Sequence, residues 1–281
     1  MNKNTIVSQS YNLAIEAGFT SFLEEHATSE NNEIKIDEDE LISEIESKWL
    51  NEELSDIGNI TPGEYINSLT SLEALVEFFI EIASVSDVGV PDIVIDRLKE
   101  YGKSAADMLF NFIEDSLASK DKIKNLAISQ AVYAISCLRF DEYKEKLINL
   151  LINCCGDELI SEAVCSAIAL YDETILNNLI ETFHTTNQDL VKELLLTCVA
   201  EICKEHQSDE IFYFLKNAFR VLSNIKLVVE VIGDYGDGRA IPLLRGYIMK
   251  NIKEMDKDTF NQIRAAIKKL GGEIDDLVYI T

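Results

Sequence analysis

Helix breakers are scarce: the 281 residues contain three prolines, Pro62, Pro91 and Pro242, and twelve glycines. So few interruptions favour an all-helical chain. Cysteine is missing from the first 136 residues, and the six that follow (Cys137, Cys154, Cys155, Cys165, Cys198 and Cys203) form no CxxC. Most sit among apolar neighbours, where a free thiol behaves as a small hydrophobe. A helical chain of this size needs no disulfide staples, so the setting reads as a reducing cytoplasm. No uncharged apolar run approaches the ~20 residues of a membrane span. The opening Met1-Asn2-Lys3-Asn4-Thr5 leads into polar sequence without the apolar core of a signal peptide. The expectation is a soluble, cytoplasmic protein with no recognisable export signal.

Catalytic signatures are missing too. The three histidines, His26, His184 and His206, form no HxH, HxxxH or HExxH. Zinc and di-iron sites need ligands that converge on one face. There is no GxSxG, no P-loop and no GxGxxG. Gly233-Asp234-Tyr235-Gly236-Asp237-Gly238 is rich in glycine, but its two aspartates would repel phosphate. Cys154-Cys155 is an adjacent pair, and neighbours on a helix point about 100° apart, so one thiol faces inward. With 50 acids present, pairing among carboxylates carries no information. No catalytic, cofactor-binding or metal-binding residue is assigned, and no enzyme activity or cofactor is expected.

Basic residues are the remaining shortage. Lys and Arg number 25 against 50 Asp and Glu, a net charge of −25. That balance opposes nonspecific binding to nucleic acid and to anionic membranes and favours basic partners. The charge is uneven. Residues 1–100 carry 22 acids and 5 bases, a net of −17, whereas residues 220–270 carry 10 bases and 6 acids, a net of +4. The molecule is expected to be polarised end to end.

What the chain does have is a repeat. A small cassette recurs as Ala134-Ile135-Ser136-Cys137-Leu138, Ala167-Ile168-Ala169-Leu170-Tyr171, Cys198-Val199-Ala200-Glu201-Ile202 and Val231-Ile232-Gly233-Asp234-Tyr235. Looser copies flank these at Leu98-Lys99-Glu100-Tyr101-Gly102 and Ile267-Lys268-Lys269-Leu270-Gly271. The third positions fall at 99, 136, 169, 200, 233 and 268, with gaps of 37, 33, 31, 33 and 35. A period in this range, filled with helical patterning, signals a solenoid. Apolar stripes of helical period predict helices over residues 122–140, 142–154, 158–171, 174–183, 190–203, 211–222, 225–232, 241–252 and 259–270. Short polar breaks such as Gly156-Asp157 and Gln207-Ser208-Asp209-Glu210 offer caps and force antiparallel hairpins. The small register residues Ser136, Ala169, Ala200 and Gly233 are expected near hairpin tips, where two backbones approach closely.

Val231-Ile232-Gly233-Asp234-Tyr235-Gly236-Asp237-Gly238-Arg239-Ala240-Ile241-Pro242-Leu243-Leu244 resembles a bacterial HEAT-like repeat. That family closes its first helix with a Leu-Gly pair, turns through Gly-Asp-Pro-Arg and opens its second helix with Ala-Ile-Pro-x-Leu. Here Gly238 replaces the turn proline. Independently of the family, Gly236 and Gly238 permit positive φ, Asp237 can cap the next helix, and Pro242 suits its first turn. The resemblance covers roughly residues 92–275. It implies a right-handed α-α superhelix whose second helices line a concave, protein-binding face.

Residues 1–90 differ. An amphipathic helix is expected over 4–25, carrying Ile6, Tyr11, Leu13, Ala14, Ala17, Phe19 and Phe22, and a loop over 27–33. Asp37-Glu38-Asp39-Glu40 precedes an apolar stripe that ends at Trp49, as suits the positive end of a helix dipole. Thr61-Pro62-Gly63-Glu64 is a capping-box pattern, and another helix follows over 72–83. Trp49-Leu50-Asn51 followed by Thr61-Pro62-Gly63-Glu64 also resembles a pattern of small bacterial helical modules, some in antitoxins. The fold class is therefore all-α: an acidic helical N-terminal cap over 1–90 and a HEAT-like solenoid over 91–281.

The function that follows is a non-enzymatic scaffold or adaptor that binds a protein partner, with basic partners favoured and neither nucleic acid nor membrane expected. Asp37, Glu38, Asp39, Glu40 and Glu44 form one candidate patch, and Arg239, Arg245, Lys250 and Lys253 a second. Two alternatives stand beside it. One is an acidic inhibitor or immunity-type protein that occludes a basic toxin or a nucleic-acid-binding protein. The other, implied by the resemblance, is a HEAT-like lyase or hydroxylase. Such hydroxylases carry several His-Glu dipeptides, and this chain has none. The resemblance also brings DNA glycosylases with a basic groove into view, but the net charge argues against duplex binding.

Overall fold

The computed structural model describes residues 2–26, 37–86, 88–119, 125–171, 173–204 and 207–279. Among them there are fifteen α-helices and no strand. The chain divides into two compact units, Met1–Phe140 and Asp141–Thr281. The first holds α1 (Lys3–His26), α2 (Glu38–Trp49), α3 (Pro62–Ser68), α4 (Leu72–Ala83), α5 (Asp92–Tyr101), α6 (Lys103–Ser119) and α7 (Asn125–Leu138). The second holds α8 (Tyr143–Cys154), α9 (Glu158–Ala169), α10 (Leu176–Thr185), α11 (Asp189–Ile202), α12 (Asp209–Val221), α13 (Ile225–Tyr235), α14 (Ile241–Asn251) and α15 (Lys257–Lys269). The change of pattern near residue 90 falls inside the first unit, where α4 packs against α5, α6 and α7. The loop expected over 27–33 lies outside the described residues.

Helix starts follow local chemistry. The Asp37, Asp157, Ser208, Asn224 and Asp256 side chains each accept a hydrogen bond from a backbone N–H in the first turn of the helix they precede. Thr61 and Glu64 complete the capping box, each side chain bonded to the other's backbone N–H at 3.1 and 2.9 Å. Such caps satisfy N–H groups that have no partner inside the helix.

In the first unit α1 packs on α2 and α4. Its buried stripe is Val7, Ser8, Tyr11 and Ile15, whereas Leu13 is 65% exposed and Ala17 also faces solvent. The amphipathic face is thus narrower and rotated from the one read in the sequence. The hydrophobic count misled because α1 meets only one side of the unit. Trp49, 2% exposed, packs 4.9 Å from the Tyr11 ring and donates its indole N–H to Ser10 Oγ at 3.0 Å. Tyr11 O–H donates to Glu46 Oε1 at 2.7 Å. Further along, the Arg97 guanidinium donates to the carbonyls of Ile66 and Leu69 at 2.9 and 2.8 Å, and Tyr101 O–H donates to that of Thr70 at 2.9 Å.

The second unit is layered. Closely packed pairs are α8 with α9, α10 with α11, α12 with α13, and α14 with α15. The helices that carry the register residues also pack on one another in series, α9 on α11, α11 on α13 and α13 on α15. Gly233 shows why small residues recur. A Cβ built there would lie 3.2 Å from Ala266 Cβ and 3.4 Å from its Cα. Gly233 therefore serves the contact between α13 and α15, one repeat apart, and not the tip of its own hairpin as the sequence suggested. Gly236 ends α13 at φ 80°, but Gly238 has no positive φ and sits in a 3₁₀ turn before α14.

Two outcomes are expected. Gly233→Leu overpacks the α13–α15 contact and destabilises the second unit by ~1–3 kcal/mol, read by chemical denaturation. Burial, the largest influence on Glu46, raises its carboxyl above the ordinary range. A carboxylate whose folded pKa is raised favours the folded state at low pH and loses that advantage as pH climbs through the folded pKa. Glu46→Gln keeps an acceptor for Tyr11 without the charge. It should raise the melting temperature at pH 7, with the gain vanishing below the ordinary carboxylate range.

Candidate functional site

The acidic patch lies at the start of α2. Asp37, Glu38, Asp39, Glu40 and Glu44 are all exposed. Asp37 Oδ1 accepts from the Glu40 N–H at 3.2 Å, and Glu38, Asp39 and Glu40 occupy the first turn. Their position at the positive end of the helix dipole gives them a local structural role. None of the five makes an ion pair among the described residues, so their charge is also open to solvent.

The second set separates into two kinds of residue. Arg239 is consumed internally. Its guanidinium forks onto Asp237 (Nε to Oδ1 and Oδ2 at 3.1 and 3.0 Å, Nη2 to Oδ2 at 2.7 Å) and reaches Asp209 Oδ1 at 2.6 Å. It also lies 4.2 Å from the centroid of the Phe212 ring. The Arg239 bonds hold the Asp237 carboxyl below its ordinary range. Arg245 donates to the Glu273 carbonyl at 2.7 Å and pairs with Asp276. Lys250 and Lys253, in contrast, are exposed and make no ion pair among the described residues. Lys226 pairs with Asp258, and Lys269 with Asp234. Four bases of this region, Lys226, Arg239, Arg245 and Lys269, thus bond to residues about one repeat away.

One surface the sequence reading overlooked is a groove between α11 and α13, about 210 Å³ in volume. Ala200, Leu227, Val231 and Tyr235 give it an apolar floor, and Glu201, Glu230, Asp234 and Lys204 its charged rim. Lys204 pairs with Glu201 at 3.3 Å. Glu230 makes no ion pair among the described residues and is exposed. A signal for this site was available, since Glu201 and Asp234 each follow a register residue, 33 positions apart.

No arrangement for chemistry emerges elsewhere. Among the described residues no group of three or more His, Cys, Asp or Glu is placed to hold a metal ion. His26 stacks on Phe22 at 4.1 Å, and His184 meets the edges of Phe183 and Phe214. His206 lies outside the described residues. No helix is long and apolar enough to cross a membrane among those residues. Comparison with protein-family models, curated proteins and solved structures yields no match.

Asp237 is the hinge of this electrostatic network, 9% exposed and bonded to both the Arg239 backbone N–H and its guanidinium. Asp237→Ala removes a cap worth about 1 kcal/mol and leaves Arg239 with Asp209 as its remaining carboxylate partner. Because the folded pKa of Asp237 is depressed, its stabilising effect is present above the ordinary carboxylate range and is lost as pH falls through the folded value. The stability gap between wild type and variant, measured by denaturation, should therefore narrow on acidification.

Proposed function

We propose that this chain is a non-enzymatic binding scaffold, an α-solenoid of HEAT-like hairpins that holds a basic segment of a partner protein. The observation that carries the reading is the groove between α11 and α13, with an apolar floor and carboxylates along its rim. A lysine or arginine suits such a site twice over. Its aliphatic stem lies on Leu227 and Val231 while its charged head meets Glu230 or Glu201. The HEAT-like reading is supported by the α13–α14 connection, where Gly236 ends one helix, Asp237 caps the next turn and Pro242 lies in the first turn of α14. Stacked repeats of this kind present extended surfaces, and their binding requires no chemical step.

The acidic start of α2 is a second surface for the same class of partner, and exposed Lys250 and Lys253 offer a smaller one of opposite sign. A related reading, an inhibitor that occludes a basic toxin or a nucleic-acid-binding protein, draws on one feature. The first 100 residues hold −17 of the charge. Attraction of that kind is long-range and strongly screened by salt.

Affinity capture from the source lysate at low and high salt tests both. The expected result is a stoichiometric basic partner that Glu201→Lys combined with Glu230→Lys weakens at least tenfold. The triple change Glu38→Lys, Asp39→Lys and Glu40→Lys should leave that partner bound. Loss of binding only in the α2 triple variant would move the site to the first unit and favour the inhibitor. Undiminished binding in both sets would overturn the acidic-groove reading.

A further inference from the structure

The second unit holds a thiol pair that the binding role does not use. Cys165 on α9 and Cys198 on α11 stand 33 positions apart, one repeat, on two helices that pack together. Cys165 Sγ approaches the Leu194 carbonyl oxygen at 3.9 Å. Leu194 lies one turn before Cys198, and side chains on a helix lean toward the preceding turn. The Cys165 sulfur is therefore on the part of α11 that the Cys198 side chain covers. The two differ in access, since Cys165 is half-buried and Cys198 is 1% exposed.

Their chemistry is divided in the same way. The hydrogen bond between the two thiols shifts Cys165 down and outweighs burial there, while the same bond and burial push Cys198 up. Of the two sulfurs, Cys165 thus gives up its proton the more readily. The other buried thiols are pushed the opposite way, Cys154 up and Cys203 up to about 11, mainly by desolvation. Reactive cysteines are those with thiolate character and access, next to a second thiol that can resolve them.

We propose that Cys165 and Cys198 form a peroxide-responsive dithiol, Cys165 the attacking thiol and Cys198 the resolving one, whose oxidation staples two successive repeats. The Cys165 thiolate attacks hydrogen peroxide. An S–O bond forms, the O–O bond breaks, and hydroxide leaves and takes a proton to become water. Sulfur is oxidised by two electrons to a sulfenic acid as the peroxide is reduced. Cys198 sulfur then attacks Cys165 sulfur. The S–S bond forms, the S–O bond breaks, and the departing hydroxyl leaves as water with the proton Cys198 gives up. The bond ties α9 to α11 beside the helix pair that forms the groove.

The test treats the reduced full-length protein with a few equivalents of hydrogen peroxide and follows intact mass and peptide maps. The expected result is a monomer lighter by two hydrogens, with Cys165 linked to Cys198 and the mass restored by a thiol reductant. Cys165→Ser and Cys198→Ser should abolish the link, whereas Cys155→Ser should not. In Cys198→Ser a sulfenic acid at Cys165 should persist and be trapped by dimedone. Circular dichroism checks that the serine variants fold, and the wild-type map decides the matter if they do not. Oxygen addition without a Cys165–Cys198 link in the wild-type protein, or a link between other cysteines, would overturn the proposal.

Discussion

The second unit depends on one constraint: helices that carry the register residues must lie side by side in series. The approach of α13 to α15, with Ala266 packed where a Gly233 side chain would be, is its tightest expression. Close approach brings the apolar residues Val228, Val229, Val231 and Ile232 of α13 into the core. Burial of each such side chain stabilises by roughly 1.5–3 kcal/mol, whereas an exposed ion pair contributes ~0–1 kcal/mol. The apolar stack therefore supplies the stability. The Lys226–Asp258, Lys269–Asp234 and Arg239–Asp209 pairs add little energy but join residues one repeat apart.

This division explains how a chain of net charge −25 stays folded. Acids are placed where the backbone itself attracts them, as caps and in first turns. Several bases near the C-terminal end are committed to neighbouring repeats. Other carboxylates, Glu44 and Glu230 among them, are exposed and make no ion pair among the described residues.

Much of the fold was legible because helix signals are local. The Thr61–Glu64 capping box, the Asp157 and Ser208 caps and the 72–83 helix can all be read from a few adjacent residues, and the structure has each of them. The face a helix buries is not local. Leu13 counts toward an amphipathic stripe in α1, but the partners that would cover it, α2 and α4, lie on the side of Tyr11 and Val7. The partners of a basic side chain are not local either. Arg239 and Arg245 look like a cationic surface until Asp209 and Asp276, 30 and 31 positions away, arrive beside them. The groove was hidden because its two walls are separate helices, even though each wall repeats the pattern of small residue then acid.

A repeat whose units touch mainly their neighbours also localises its responses. In the second unit the long-range side-chain bonds span about one repeat, from Tyr279 with the Met255 carbonyl, 24 positions apart, to Gln262 with the Lys226 carbonyl, 36 positions apart. Stability in such an array is a sum of intrinsic and nearest-neighbour contributions. A change at one interface therefore acts first on the interface beside it. The Cys165–Cys198 contact and the acidic groove share α11 as a common wall. Whatever fixes α11 against α9 also fixes one side of the groove, so the two features are coupled through a single helix and need no longer pathway.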